Sequence, residues 1–235
     1  TPSGPLPPGI TGIQKGVLIY HEGQTAFTPI LQAIAALKPD LFLTTGHEPA
    51  SQSIVQQAAA MNFNVSGLSF AVGPSIPQFV QAVGPLAANL FGPAQWIPQL
   101  PALGYDRFGT ASNFAADYYQ RYNLDASYLS AGAVASGLTF EDAIKRAGSI
   151  DRLKVRDAIA ATQLYTFYGL IQFNSQGINA NKPLVTFQLQ QCPIGLTNII
   201  LNPKDLVAQG ATAVWPFPGW NKPGWPKQQT AIASA

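Results

Sequence analysis

Charge is scarce in this chain. Of its 235 residues, 10% are Asp, Glu, Lys or Arg, where about a quarter is usual. The surface is therefore covered largely by Gln, Asn, Ser, Thr, Ala and Pro, a composition that suits a secreted protein or an acidic setting. The net charge of +2 comes from scattered positions. No run of Lys or Arg alternates with aromatics, so nothing resembles a track for a phosphate backbone, and nucleic acid is set aside as a partner. Cysteine is scarcer still. Cys192 is alone, which excludes an internal disulfide and a thiolate metal cluster; the expected state is a buried, inert thiol. There are two histidines, His21 and His47, each followed by Glu. Neither belongs to HExxH, whose second His lies one helical turn on to share a metal. A metal site through His21, Glu22, His47 and Glu48 is the alternative to two solvated loop pairs, because both pairs follow strands. G-x-S-x-G, P-loop and G-x-G-x-x-G motifs are absent, so neither catalytic residues nor a cofactor are expected. Long apolar runs are missing too. The best candidate, "SYLSAGAVASGLTF", falls short of the roughly 18 residues of a membrane span and is broken by Gly and Ser. The sequence starts at Thr1 without a charged-then-apolar leader, which is expected if a signal peptide has been removed or something longer has been cut.

What is present is a chain that is 47% hydrophobic, enough to bury the core of one large or two small domains. "TPSGPLPPGI" reads as an extended Pro/Gly arm. After it, strand-length and helix-length patterns alternate. "GVLIY" is a short apolar run. "TPILQAIAALKPD" predicts a helix with Thr28 as N-cap, Pro29 at the first helical position and Ile30, Leu31, Ile34 and Leu37 on one face, stopped by Pro39. "LFLTT" reads as a buried strand, and "SQSIVQQAAAM" as a helix with Ile54, Val55 and Ala58 facing inward. "VSGLSF", "IPQFVQAVG" and "ANLFG" continue the alternation. The order βαβαβαβ is that of an α/β fold, a parallel sheet flanked by helices.

The second half changes character. From Thr110 to about Thr162 the patterns are helical: "TASNFAADYYQRY", then Ser127 to Ala147, then "RLKVRDAIAAT". Lys145 and Arg146 fall in the last turn of the middle helix with Gly148 just beyond, a stop signal. The third helix opens after Ser149 to Asp151, where a capping side chain is expected. "TFYGLIQFNSQGINANKP", Thr166 to Pro183, then reads as a hairpin with strands near Leu170–Phe173 and Leu184–Leu189 about an Asn/Ser/Gly turn, and "LTNIIL" as a last strand. "YLSAGAVASGL" is apolar nearly all round, and such a helix must be buried on more than one side. Few strands remain to bury it.

"FTPILQAIAALKPDLFLTTGHEPASQSIVQQAAAMNFNV" resembles the second lobe of the leucine/isoleucine/valine-binding protein family, the type I periplasmic solute-binding proteins of ABC transporters. "FGPAQWIPQLP" is similar to the strand with which that family crosses back between lobes. "AIKRAGSIDRLKVRDAIAAT" and "TFYGLIQFNSQGINANKP" are similar to segments that follow in the same order. The resemblance runs from about Gly16 to Trp220. Family members are longer, and the part without a counterpart is N-terminal, most of the first lobe. The resemblance therefore implies a periplasmic-binding-protein-like type I fold with part of the first lobe missing. It implies an arm over 1–15, a second-lobe segment over 16–95, a mainly helical return to the first lobe over 96–175, return strands over 176–212 and a Trp/Pro-rich tail over 213–235. Its functional implication is a non-enzymatic protein, periplasmic or extracellular, that binds a small solute between lobes and delivers it to an ABC permease in the inner membrane. The alternative is a shortened relative serving as a structural or interaction subunit, docked on the missing lobe or on a separate chain.

The site residues follow from the same resemblance. "TTGHEPAS" matches a cleft loop, which puts His47 or Glu48 at the cleft edge; both also follow a strand end, where α/β sheets place binding groups, and a solvated loop pair is the alternative. "AVGPSIP" matches the loop that in amino-acid binders supplies the acid for the ligand ammonium. Val72 stands at that place, with Gly73 and Ser75 beside it, and no acid is present, so either Glu48 substitutes or the ligand lacks an amino group. Trp96 either packs in the hinge or faces the ligand, and burial is the commoner use of Trp. Tyr128 resembles a position near the cleft and is otherwise a helix-packing ring. "WPFPGWNKPGW" reads as a strap of Pro-locked aromatics rather than a sugar-stacking platform. "NVS", Asn64 to Ser66, matches a glycosylation sequon that matters only in a eukaryotic secreted protein.

Overall fold

The computed structural model describes residues 10–14, 17–182, 184–193 and 195–220. In chain order these form β1 (Ile10–Gln14), β2 (Val17–Tyr20), α1 (Thr28–Ala36), β3 (Leu41–Thr44), α2 (Glu48–Ala60), β4 (Gly67–Phe70), α3 (Pro77–Val83) and β5 (Phe91–Ala94). The helices α4 (Ala111–Tyr122), α5 (Tyr128–Ala147) and α6 (Arg152–Ala160) follow, then β6 (Gln163–Thr166), β7 (Gly169–Gln172), β8 (Val185–Cys192) and β9 (Gly195–Asn202). The chain divides into two compact units, the first taking 1–92, 188–197 and 212–235 and the second 93–187 and 198–211. The crossings fall at Gly92/Pro93, Phe187/Gln188, Thr197/Asn198 and Ala211/Thr212; the sequence reading put boundaries after 15, 95, 175 and 212.

The first unit carries the alternating pattern. β3 and β4 pair in parallel from Leu41↔Gly67 to Thr44↔Phe70, and β4 pairs in parallel with β5 at Ser69↔Phe91. They belong to a five-stranded sheet of order β3-β4-β5-β8-β9. α2 buries Ile54, Val55 and Ala58 as its spacing predicts, and the rings of Phe42, Phe63, Phe70 and Phe79 meet edge-on or tilted beneath it, with centroids 5.6 to 6.3 Å apart. Several expectations need correction. "GVLIY" does not join the parallel sheet: as β2 it pairs antiparallel with β1 in a separate two-stranded sheet. That leaves β3 at the sheet edge, so "LFLT" is buried on one face only, with Leu41 and Leu43 exposed. The N-cap of α1 is Phe27, not Thr28. Its side chain cannot cap, and Gln57 of α2 does so instead, its Oε1 accepting from the N–H groups of Phe27 (2.7 Å) and Thr28 (2.8 Å). Leu37, just past the end of α1, is exposed rather than on the buried face. Cys192 is half-buried rather than buried.

The C-terminal aromatics strap this unit as expected. Phe217 and Trp220 are buried, the Trp220 indole N–H donates to the Phe63 carbonyl at 2.7 Å, and the Phe217 N–H donates to the Ser66 carbonyl at 2.7 Å. A Cβ at Gly67 would fall 2.6 Å from the Trp215 ring, so the strap closes over a strand end that has no side chain. Of the arm expected over 1–15, Ile10–Gln14 form β1 instead of an extended arm, and the rest of it, like the tail beyond Trp220, lies outside the described residues.

The second unit holds α4, α5 and α6, and the end of α5 and the start of α6 follow the sequence signals. Thr110 caps α4, accepting from Asn113 N–H at 3.1 Å. Ser127 and Ser130 form a reciprocal capping box on α5. Gly148 closes α5 with φ +57°, and Asp151 accepts from the N–H groups of Leu153 and Lys154 at the start of α6. α5 buries a single narrow stripe, Ala131, Ala135, Thr139 and Ala143, not several faces. The segment "TFYGLIQFNSQGINANKP" also folds differently from the expected hairpin. β7 pairs with β6, which precedes it, from Thr166↔Gly169 to Gln163↔Gln172, while β8 joins the large sheet. The physical reason lies in Phe167. It is fully buried at the turn, stacked on Phe114 with centroids 4.1 Å apart and edge-on to Phe108 and Trp96. The Asn/Ser/Gly run closes on itself, Asn174 Oδ1 accepting from the N–H groups of Gln176 and Ile178.

Candidate functional site

In the first unit, the loops after β3 and β4 leave neighbouring parallel strands at their C-terminal ends, the position where α/β sheets collect ligand groups. The loop after β3 brings Gly46 and His47 to the start of α2. His47 is its N-cap residue, in extended conformation, with a side chain that makes no capping bond and is left to face outward. Glu48 opens the helix half-buried, and its carboxylate accepts from the Gln52 side-chain amide one turn on. The loop after β4 carries Val72, Gly73 and Ser75. The Val72 carbonyl accepts from Ser51 Oγ of α2 at 2.6 Å, which ties the two loops together. Gly73 has φ +138°, and a Cβ there would stand 3.0 Å from two Phe79 ring atoms and 3.2 Å from the Ser51 Cβ. Gly73→Ala is therefore expected to cost about 1–3 kcal/mol, the usual toll of a side chain forced into that region, measured as a lower urea midpoint.

A pocket of about 620 Å³ opens beside His47. Its apolar lining comes from Val17, Leu18 and Ile19 of β2 with Pro49 and Ala50 of α2; its polar lining includes Glu22, Thr45, His47 and Ser53. Tyr20 lines the same pocket. Its ring packs edge-on against Phe27 at 5.1 Å, and its hydroxyl presses on Gly46 so closely that no side chain could stand there. That hydroxyl is buried and has no hydrogen-bond partner among the described residues. A buried phenol without a partner is uncommon in a finished core. Sequence reasoning missed Tyr20, and nothing in "GVLIY" marks its hydroxyl as different from that of any strand tyrosine.

The remaining predicted residues lie in the second unit. Trp96 is fully buried, edge-on to Phe114 at 5.5 Å, with its N–H donating to the Phe167 carbonyl at 3.3 Å; its surroundings are the aromatic core. Tyr128, half-buried, is the first residue of α5. Its proximity to Tyr168, after the larger effect of burial, holds the Tyr168 phenol above its usual range. The structure thus gathers His47, Glu48, Val72, Gly73 and Ser75 in one unit and places Trp96 and Tyr128 in the other. Among the described residues no group of three or more His, Cys, Asp and Glu is arranged to hold a metal.

Strand-end loops and a mixed apolar and polar pocket on an α/β sheet are features that small-molecule sites share. Residues 11–193 match the periplasmic binding protein family, and the chain belongs to that family. Solved structures agree on the fold. A leucine-binding protein, LivK, from Thermotoga maritima superposes with a TM-score of 0.64 at 24% identity, over 80% of this chain and 51% of its own. The branched-chain amino acid transporter substrate-binding protein LivJ from Streptococcus pneumoniae, solved with isoleucine, gives 0.63 at 19% identity, over 78% and 51%. An ABC transporter solute-binding protein from R. palustris in complex with benzoate gives 0.59 at 15% identity, over 80% and 51%. The chain thus spans about half the length of these relatives.

Proposed function

We propose that the chain is a non-enzymatic solute-binding protein that holds a small organic solute at the His47 pocket for delivery to an ABC importer, in the periplasm or outside the cell. What supports this reading is the pocket itself, lined by apolar and polar residues together, among them Tyr20, whose buried hydroxyl has no hydrogen-bond partner among the described residues. Apolar walls with a few convergent polar groups are what small-molecule sites consist of. The solute class is an amino acid, an amide or a small organic acid. The Val72–Ser75 loop offers no carboxylate, and that of Glu48 is engaged by Gln52, so an amino group on the solute would be met by Glu22, which lines the pocket. Ala50→Trp, which fills the pocket from α2, is expected to abolish the rise in melting temperature that millimolar benzoate, propionamide or leucine gives the parent chain. A rise that survives the filled pocket would place binding elsewhere.

A second reading, an interaction subunit, has its own observation. Leu129, Phe140 and Ile144 are exposed along α5, and Ile150 and Leu153 continue the apolar surface into α6, with Ile150 86% exposed. Apolar surface on that scale marks a docking face, and relatives carrying as much chain again make a complementary lobe, in the same or a separate polypeptide, the fitting occupant. Native mass spectrometry separates the readings: a second polypeptide retained without any small molecule supports the subunit.

A further inference from the structure

We propose that the second unit carries a binding site for a small aromatic carboxylate in a pocket shared by α4 and α5, with Arg121 holding the carboxylate and tyrosine rings holding the aromatic body. The pocket has a volume of about 370 Å³, within the range of small-molecule sites. Phe108, Tyr118 and Tyr122 line it with rings, Phe114 adds a buried one, and α5 contributes Gly137 and Leu138. Tyr118 and Tyr122 lie one helical turn apart, their centroids separated by 4.7 Å and their planes tilted by 52°. Tyr122 is 55% exposed, so part of this aromatic surface is open to an incoming ring.

The charges that share the pocket decide the sign of the ligand. Arg107, Asp117, Arg121 and Glu141 all line it. Both carboxylates have cations: Asp117 accepts from Arg107 at 3.1 Å and Glu141 from Lys145 at 2.5 Å. Arg107 also lies over the Phe108 ring, its Cζ 4.5 Å from the centroid. Arg121 is the guanidinium left over, with no ion pair, hydrogen bond or ring contact among the described residues. A guanidinium presents five N–H donors in a planar fork that matches the two oxygens of a carboxylate, and aromatic side chains take a second ring stacked or edge-on. The pocket therefore answers both halves of an aromatic carboxylate. An aliphatic acid leaves the rings without a partner, and a phosphate dianion brings two charges to a pocket with one unpaired cation and two carboxylates.

The test titrates the full ¹⁵N-labelled chain with 2-naphthoate while NMR follows the Arg121 Nε–H signal, assigned by its loss in Arg121→Gln. Comparators are 2-naphthamide, which lacks the charge, and cyclohexanecarboxylate, which lacks the ring. 2-Naphthoate is expected to move the Arg121 signal saturably below millimolar concentration, and each comparator to bind at least about tenfold more weakly, the usual scale of one charged hydrogen bond or one aromatic contact. Arg121→Gln, at an exposed position without partners, leaves the fold intact and should weaken 2-naphthoate binding by about tenfold or more, read calorimetrically. A Cβ at Gly137 meets nothing within 4 Å, so Gly137→Trp fills the pocket from α5 and should abolish the Arg121 shift. An Arg121 signal unmoved at millimolar 2-naphthoate overturns the proposal, as does binding that is indifferent to Arg121→Gln. Equal affinity for 2-naphthamide would reduce the effect to apolar adsorption and overturn it likewise. Ala50→Trp leaves the Arg121 titration unchanged, so failure here and failure of the His47 reading are separately visible.

Discussion

Trp96→Ala is expected to remove about 3–5 kcal/mol of stability, the range for deleting a large aromatic from a packed core. The ring is fully buried, and it touches Phe114 and Phe167 edge-on. Those two stack on each other and each meets Phe108 at about 5 Å. Removing Trp96 leaves a cavity at the centre of that group and strands the Phe167 carbonyl that accepts its N–H. Because stabilities of whole domains lie in the range of about 5–15 kcal/mol, the second unit should lose cooperative structure well before the first. Trp96→Phe keeps a ring and loses the hydrogen bond, a cost of about 1 kcal/mol for the bond plus whatever the smaller ring fails to fill. Urea unfolding, with hydrogen exchange in α4 to α6 as the local probe, reads both. A Trp96→Ala midpoint within error of the parent chain would show that the ring is peripheral.

Asp106→Ala is the second large effect. One carboxylate organises three backbone donors: Oδ1 accepts from Phe108 N–H at 2.8 Å and Gly109 N–H at 3.3 Å, and Oδ2 accepts from Phe167 N–H at 2.6 Å. The last bond spans 61 residues and fixes the β6–β7 turn against the segment before α4. Gly104 lies in the same place, where a Cβ would fall on the Thr166 backbone and 2.5 Å from Asp106 Oδ2. Truncating the carboxylate orphans all three donors; a fully buried donor left unpaired costs about 1–3 kcal/mol, and because these bonds are part-buried and the Gly109 bond is long, each counts near or below the low end and the expected loss is about 2–4 kcal/mol in all. Asp106→Asn retains an acceptor for part of the set and should cost roughly half as much. The readout is again the urea midpoint, and an Asp106→Ala change under about 0.5 kcal/mol, the scale of ordinary surface substitutions, would contradict the assignment.

The helices were legible because their signals are local. Asp151 caps α6 within the stretch where the sequence places a cap, and Gly148 ends α5. Ile54, Val55 and Ala58 face the core because a period of 3.6 leaves them no other face. Failures came where a partner distant in sequence decides. "GVLIY" has the composition of a sheet strand, but which strand it pairs with depends on β1, hidden in a Pro/Gly-rich arm. The cap of α1 comes from Gln57, 30 residues away from Phe27, and no local pattern announces it. The apparent hairpin turned on Phe167, whose burial draws the tight turn to itself while Asn174 closes the more conspicuous turn without pairing long strands. At the candidate site, strand-end position pointed to His47, which is among the residues that line the pocket. The orphaned Tyr20 hydroxyl depends on its approach to Gly46, a tertiary fact. Trp96 follows composition rather than resemblance, packing as tryptophans mostly do.

Proton NMR of the two histidine rings tests the central claim most directly. The chain has His21 and His47 alone, and only His47 lines the pocket, so one imidazole reports and the other serves as an internal reference. A panel of small organic acids, amides and amino acids is titrated into the full chain at constant pH. Solute binding predicts that at least one compound moves the His47 ring signals saturably, together with those of Tyr20, while His21 stays in place. If no member of the panel at millimolar concentration shifts His47, or if both histidines move together in proportion to added salt, the pocket is not a solute site and the interaction-subunit reading takes its place.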